Sequence, residues 1–60
     1  MKTNEFLRLA KEAGCRFVSH GKEHDLWVSK DGIPFRVPRH GNKEIGRGLL
    51  FNLKKKAGLK

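Results

Sequence analysis

The chain has one cysteine, Cys15, and so cannot close an intramolecular disulfide. Small secreted domains usually depend on several such bridges, so a reducing cytoplasm is the expected setting. Long hydrophobic runs are also missing. The apolar stretch Leu49-Leu50-Phe51 falls far short of the roughly 18 residues that a membrane span suggests, and Met1-Lys2-Thr3-Asn4 leads into no apolar signal region. A soluble, untargeted protein with no membrane partner is expected. At 60 residues and 6.9 kDa there is room for one domain, spanning 1–60, and not for a multidomain enzyme. A chain this short buries only about 60% of the surface exposed when unfolded, so its hydrophobic residues must serve one thin core. That excludes a deep pocket, and no small-molecule cofactor is expected.

Acidic residues are scarce: 6 Asp plus Glu stand against 14 Lys plus Arg, a net charge of +8. The imbalance is uneven, with six basic and four acidic side chains in residues 1–30 (+2) and eight basic and two acidic in residues 31–60 (+6). A domain with this field attracts polyanions, whether nucleic acid, an anionic membrane or an acidic protein.

Phe6, Leu9, Ala10 and Ala13 recur at helical spacing behind Thr3 or Asn4, either of which can accept a hydrogen bond from open helix amides. With Glu5 in the first turn, Lys11 near the last and Gly14 beyond, residues 4–13 read as a helix. Cys15-Arg16-Phe17-Val18-Ser19 shifts towards alternation and reads as a short strand, ended by the polar stretch His20-Gly21-Lys22-Glu23. Residues 24–30 and 33–37 flank Asp31-Gly32, a signal for a two-residue hairpin turn. Alternation predicts Leu26 and Val28 on the core face opposite Ile33, Phe35 and Val37, with Trp27 turned away from the helices. Pro34 and Pro38 share one parity and cannot donate to a ladder, so the last strand is expected at an edge or with its prolines at non-bonding positions. Ile45, Leu49, Leu50, Leu53 and Ala57 then resume helical spacing up to Gly58. Gly46 and Gly48 delay the regular helix until about Arg47. The expected fold is α+β, in the order α-β-β-β-α, with a three-stranded antiparallel sheet and two helices on one face.

No hydrolase serine elbow, no usefully spaced carboxylate pair and no phosphate-binding glycine loop occurs. The chemistry-bearing candidates are the histidines. A zinc site built from them and Cys15 matches no common ligand spacing, so no metal is expected. His20 reads as a polar strand end, and His40 as a surface residue beside Arg39. His24 differs, because it opens a strand directly after a glycine-containing turn, with Lys22 beside it. Imidazole titrates near neutrality and can move a proton either way. RNA carries its own nucleophile in the 2′-hydroxyl, so proton transfer at a phosphate held by cations is enough to cleave it. From composition and position alone, plain nucleic-acid binding ranks above cleavage. Phe17 is expected to fill the core, as are the leucines of the second helix. Trp27 is a candidate for base stacking. Lys54-Lys55-Lys56 is a solvated helix face or a rail for phosphates.

An ordered set of segments carries a wider likeness: Ala13-Gly14 ending the first helix, Gly21-Lys22-Glu23-His24, Val37-Pro38-Arg39-His40, Lys43-Glu44-Ile45-Gly46-Arg47-Gly48, and Leu53-Lys54-Lys55-Lys56-Ala57-Gly58-Leu59. Together they resemble the HicA family, the ribonuclease halves of HicA–HicB toxin–antitoxin pairs, over nearly the whole chain. The resemblance implies a fold like a double-stranded RNA-binding domain and translation-independent cleavage of mRNA, which would arrest translation and growth; cleavage by proton transfer at a phosphate held by cations needs no metal. It also implies neutralisation by a HicB-type antitoxin. His24 aligns with the family's catalytic histidine, although Lys22 and Glu23 stand where the family often has serine. Lys22, Arg36, Arg39, Lys54 and Lys55 are the expected RNA contacts. The competing reading is a noncatalytic module for double-stranded or structured RNA, which would need no histidine.

Overall fold

The computed structural model describes residues 1–39 and 41–59; the readings of His40 lie outside the described residues. The elements are α1 (Thr3–Glu12), β1 (Arg16–His20), β2 (His24–Val28), β3 (Pro34–Pro38) and α2 (Arg47–Ala57), the expected α-β-β-β-α order. The three strands form one antiparallel sheet in the order β1-β2-β3, so β3 is at an edge as its two prolines require. Phe6 and Ala10 of α1, and Leu53 and Ala57 of α2, join Trp27, Phe35 and Val37 of the sheet in one core. Phe6 meets Phe35 edge to face, with ring centroids 6.3 Å apart.

The alternation in β2 is the reverse of the expected one. Trp27 lies opposite Phe35, and Asp25 opposite Val37. Trp27 is therefore a core residue, 5% exposed, while Leu26 and Val28 are only half-buried. Directly opposed residues share a face, and the large indole fills the space beneath the helices better than a leucine and a valine would. The Lys11 ammonium of α1 stands 5.9 Å from the centre of the Trp27 ring. Buried in this way, Trp27 is not a platform for bases. Phe17 is also displaced from its expected place. It is half-exposed on the edge strand β1, and packs edge-on against Trp27 at 5.8 Å between centroids. A bulge between Phe17 and Ser19 interrupts the pairing there.

The hairpin between β2 and β3 uses a three-residue loop instead of the expected two-residue turn. Ser29 donates its amide to Ile33 and accepts from the Gly32 amide, both at 2.9 Å. Gly32 alone in this loop has positive φ, at 86°. That is a type I turn completed by a left-handed glycine, and the Ser29 hydroxyl braces it by accepting from the amides of Asp31 and Ile33. The consequence is that Ile33 is left outside the strand and half-exposed.

Neither Thr3 nor Asn4 caps α1 with its side chain. The open amides of Thr3 and Asn4 donate instead to the carbonyls of Lys43 and Gly41, each at 3.0 Å, and the Thr3 hydroxyl also donates to Lys43. Long-range backbone groups thus do the work of a local cap, and they fasten the chain after β3 to the start of α1. Both helices end as expected at left-handed glycines. Cys15 donates to Ala10 and Gly14 to Lys11 after α1, and Leu59 donates to Lys54 and Gly58 to Lys55 after α2. Of the α2 leucines, Leu53 is buried, Leu50 half-buried and Leu49 exposed, as is Phe51. Cys15 is buried with its thiol on the Ala57 carbonyl, and that burial pushes its pKa up.

Truncating Phe35 to alanine should cost about 3–5 kcal/mol, which matches the whole stability expected of a single core this small. Phe35→Ala should therefore be unfolded at 25 °C by circular dichroism. Phe17→Ala, whose ring is already half in water, should still melt cooperatively.

Candidate functional site

The opposed pairs that bury Trp27 and Phe35 send the alternate residues to the other side of the sheet. His24, Leu26 and Arg36 lie there, with Leu26 directly opposite Arg36 and His24 opposite Pro38. α2 borders this side beside Leu26 and Arg36, through Leu49, Asn52, Leu53 and Lys56, and leaves Arg36 and His24 exposed. Here the sheet holds a concavity of about 500 Å³ lined by Ser19, Gly21, Lys22, Glu23, His24, Leu26 and Arg36. A second, of about 290 Å³, is lined by Lys22, Glu23, His24, Pro38, Arg39 and Lys43. Lys22, Glu23 and His24 belong to both and stand where the two meet.

The turn that delivers His24 has a physical reason for its glycine. Gly21 donates its amide to the His24 carbonyl at 2.8 Å, closing the turn between β1 and β2. A Cβ at position 21 would lie 2.5 Å from that same carbonyl oxygen, closer than real Cβ atoms come. The spacing of three residues between glycine and histidine is thus a constraint of close backbone approach. The following strand, paired on both sides, then holds His24 at its first position.

Of the residues expected to meet RNA, the structure gathers Lys22, Arg36 and Arg39 around His24. It sets Lys54 and Lys55 apart, in the last turn of α2, where Lys55 is exposed and Lys54 half-buried. Their charge complements the carbonyl end of that helix. Sequence reasoning missed Lys43 and Ser19 as lining residues; Lys56, read there within the lysine run, lines a third concavity with Leu26, Arg36, Leu49 and Asn52. Lys43 stands in the segment Lys43-Glu44-Ile45-Gly46 that carries part of the resemblance and could have been found there; Ser19 could not, because the bulge in β1 decides which way it faces. His20 is not in these concavities. Its Nδ1 lies 2.9 Å from Oδ1 of Asp25, its partner across the strands, and its ring packs at a tilt against Phe17, 4.8 Å between centroids. Among the described residues, no three His, Cys, Asp or Glu side chains come together as a metal-binding group would require. No helix is long and apolar enough to cross a membrane.

A solvent-open histidine between cation-lined hollows, with no enclosed pocket, suits a proton transfer on a large, flexible polyanion better than one on a small metabolite. Comparison with known proteins agrees. The model of a family described as the HicA toxin of bacterial toxin–antitoxin matches residues 3–59. The chain is 42% identical over 60 residues to a protein of Pseudomonas fluorescens (strain Pf0-1) named "Probable mRNA interferase HicA", covering 100% of this chain and 98% of that relative. No solved structure matches it.

Gly21→Ala should push the His24 carbonyl aside. The expected signs are faster hydrogen exchange at residue 21 and displaced His24 ring resonances by NMR. Gly46→Ala, where an added Cβ meets open space, should leave the His24 resonances where they are.

Proposed function

From the premise that this chain belongs to the HicA toxin family, we propose that His24 is the proton-transferring residue of a metal-independent endoribonuclease. The chain is a toxin of a toxin–antitoxin pair and an endoribonuclease that acts on mRNA. The observation that carries the assignment of His24 is its place at the junction of the two hollows, with Lys22 in both and Arg36 in one.

The chemistry follows from what RNA brings with it. The His24 imidazole takes the proton of a 2′-hydroxyl, and that oxygen attacks the adjacent phosphorus. The bond from phosphorus to the 5′-oxygen breaks, and the leaving oxygen takes a proton from the solvent that reaches this open face. Lys22 and Arg36 supply positive charge to the phosphate oxygens as charge builds on them. The products are a 2′,3′-cyclic phosphate and a 5′-hydroxyl. Lys54 and Lys55 meet phosphates farther along the strand, where they add affinity and no chemistry. The protein acts in the cytoplasm, and its partner is a HicB-type antitoxin that inhibits it by covering His24.

His24→Ala should fold with an unchanged melting temperature and bind RNA with an unchanged salt slope, yet lose cleavage by about 100-fold or more. Undiminished cutting by this variant would remove His24 from the mechanism. Cleavage by the wild-type protein should survive EDTA, and an EDTA block relieved by added divalent metal would overturn the metal-free reading. The antitoxin complex should not cleave RNA, which a reaction of the purified complex with labelled transcript would show. A complex that cuts at the full rate would place the antitoxin elsewhere on the surface.

A further inference from the structure

Arg39 lies beside His24 in the sequence pattern and in space, but its donors are turned towards the protein. Its backbone amide donates to the Glu23 carbonyl at 3.2 Å, carrying the pairing of β2 with β3 one step beyond the ends of both strands. Its Nη1 donates to the Lys22 carbonyl, also at 3.2 Å. Its Nε stands 3.7 Å from Oδ1 of Asp25. The alternation along β3 puts Arg39 in line with Phe35 and Val37, and so on the side of Asp25, which is the partner of Val37 across the strands. Arg36, by contrast, belongs to the side of His24. Asp25 is itself mostly covered, with its side chain 16% exposed, and a carboxylate in that position needs charged or hydrogen-bonding neighbours. It has His20 on one side and Arg39 on the other.

These contacts close a short circuit. Asp25 follows His24 in the chain, Arg39 joins Asp25 to the Lys22 carbonyl, and Gly21 returns to the His24 carbonyl. Between the two ends, Glu23 is held by the Arg39 backbone amide, and the Arg39 side chain is the tether that the described residues give Lys22. The guanidinium faces the two groups with different nitrogens, Nη1 towards the Lys22 carbonyl and Nε towards Asp25, whereas the ammonium of a lysine would have to reach both from one atom.

We propose that Arg39 is a positioning residue: anchored on Asp25, it clamps the Lys22–Glu23 turn so that Lys22 and His24 are presented to one phosphate. This rests on the assignment of His24 made above and gives Arg39 a different task from the phosphate contact that sequence alone suggests. The turn lies at the surface between two strands, and without the guanidinium Lys22 loses its tether and can shift, while Glu23 keeps only the backbone bond from residue 39. Small displacements of that kind cost chemistry far more than they cost binding.

The test compares Arg39→Lys, Arg39→Ala, Asp25→Asn and the Asp25→Asn/Arg39→Ala double variant in the full chain. Cleavage of an RNA oligonucleotide gives kcat and KM. Binding of the same sequence with every 2′-hydroxyl methylated, measured across a salt series, counts phosphate contacts. A clamp predicts that Arg39→Lys fails nearly as badly as Arg39→Ala, with kcat down about 10- to 100-fold and KM within about twofold. It predicts an unchanged salt slope. It also predicts that Asp25→Asn lowers kcat in the same way, and that the double variant falls little further than either single one. Retained activity in Arg39→Lys, together with a salt slope shallower by about 0.7 in Arg39→Ala, would make Arg39 a phosphate contact and overturn the clamp. Hydrogen exchange at the Gly21 amide, followed without RNA, separates this inference from the nuclease reading. Faster exchange in Arg39→Lys supports the clamp, and unchanged exchange overturns it, whatever the protein does to RNA. A wild-type protein that cut no RNA would instead overturn the role given to His24.

Discussion

The pairing of Trp27 with Phe35 across β2 and β3 is the contact on which the rest of the molecule depends. Two large aromatic residues directly opposite one another must face the same way, and both face the helices. Because side chains alternate strictly along a strand, this one pair determines the face of every other residue in both strands. It turns Leu26 and Arg36 outward with His24, and Asp25 and Val37 inward. A register slip of one residue would bury the cations of the site and expose the core. The fold and the chemistry therefore rest on the same contact, and a chain with so few apolar residues has little else with which to enforce it.

The site is divided between the two sides of the sheet in a way that assigns labour. The open side, with Lys22, His24 and Arg36, is available to a polyanion. On the covered side Asp25, His20 and Arg39 form a polar rim at the end of the core, where they face each other and the turn. Two basic residues three apart in the sequence, Arg36 and Arg39, thus end up in different surroundings. One meets solvent beyond Leu26, and the other meets a carboxylate and a carbonyl. The bulge in β1 adds a second asymmetry, since it lets Ser19 line the open hollow while His20 pairs with Asp25.

Much of the architecture was legible because it depends on local chemistry. The left-handed glycines after both helices, the late start of α2 behind Gly46 and the edge position of the strand with two prolines each follow from what one residue's backbone allows. The errors share one cause. The facing of Trp27, the exposure of Phe17 and the capping of α1 by the carbonyls of Gly41 and Lys43 depend on what is brought alongside from far away in the chain. The Asp31-Gly32 turn shows the same limit at short range. The left-handed glycine was where the sequence placed it, but the Ser29 hydroxyl bonds to two amides and sets the loop at three residues.

By itself the sequence determined the order of elements, the positive field, the family and the histidine that stands after a glycine turn, because composition, backbone preference and motif order are properties of the chain read end to end. Tertiary structure alone decided which side of the sheet is free, which cations share the surroundings of His24, and that Arg39 bonds to the turn beside it. The physical reason is that a strand has two equivalent faces until something packs against one of them. Only the docking of Phe6 of α1 and Leu53 of α2 onto Trp27 and Phe35 makes that choice.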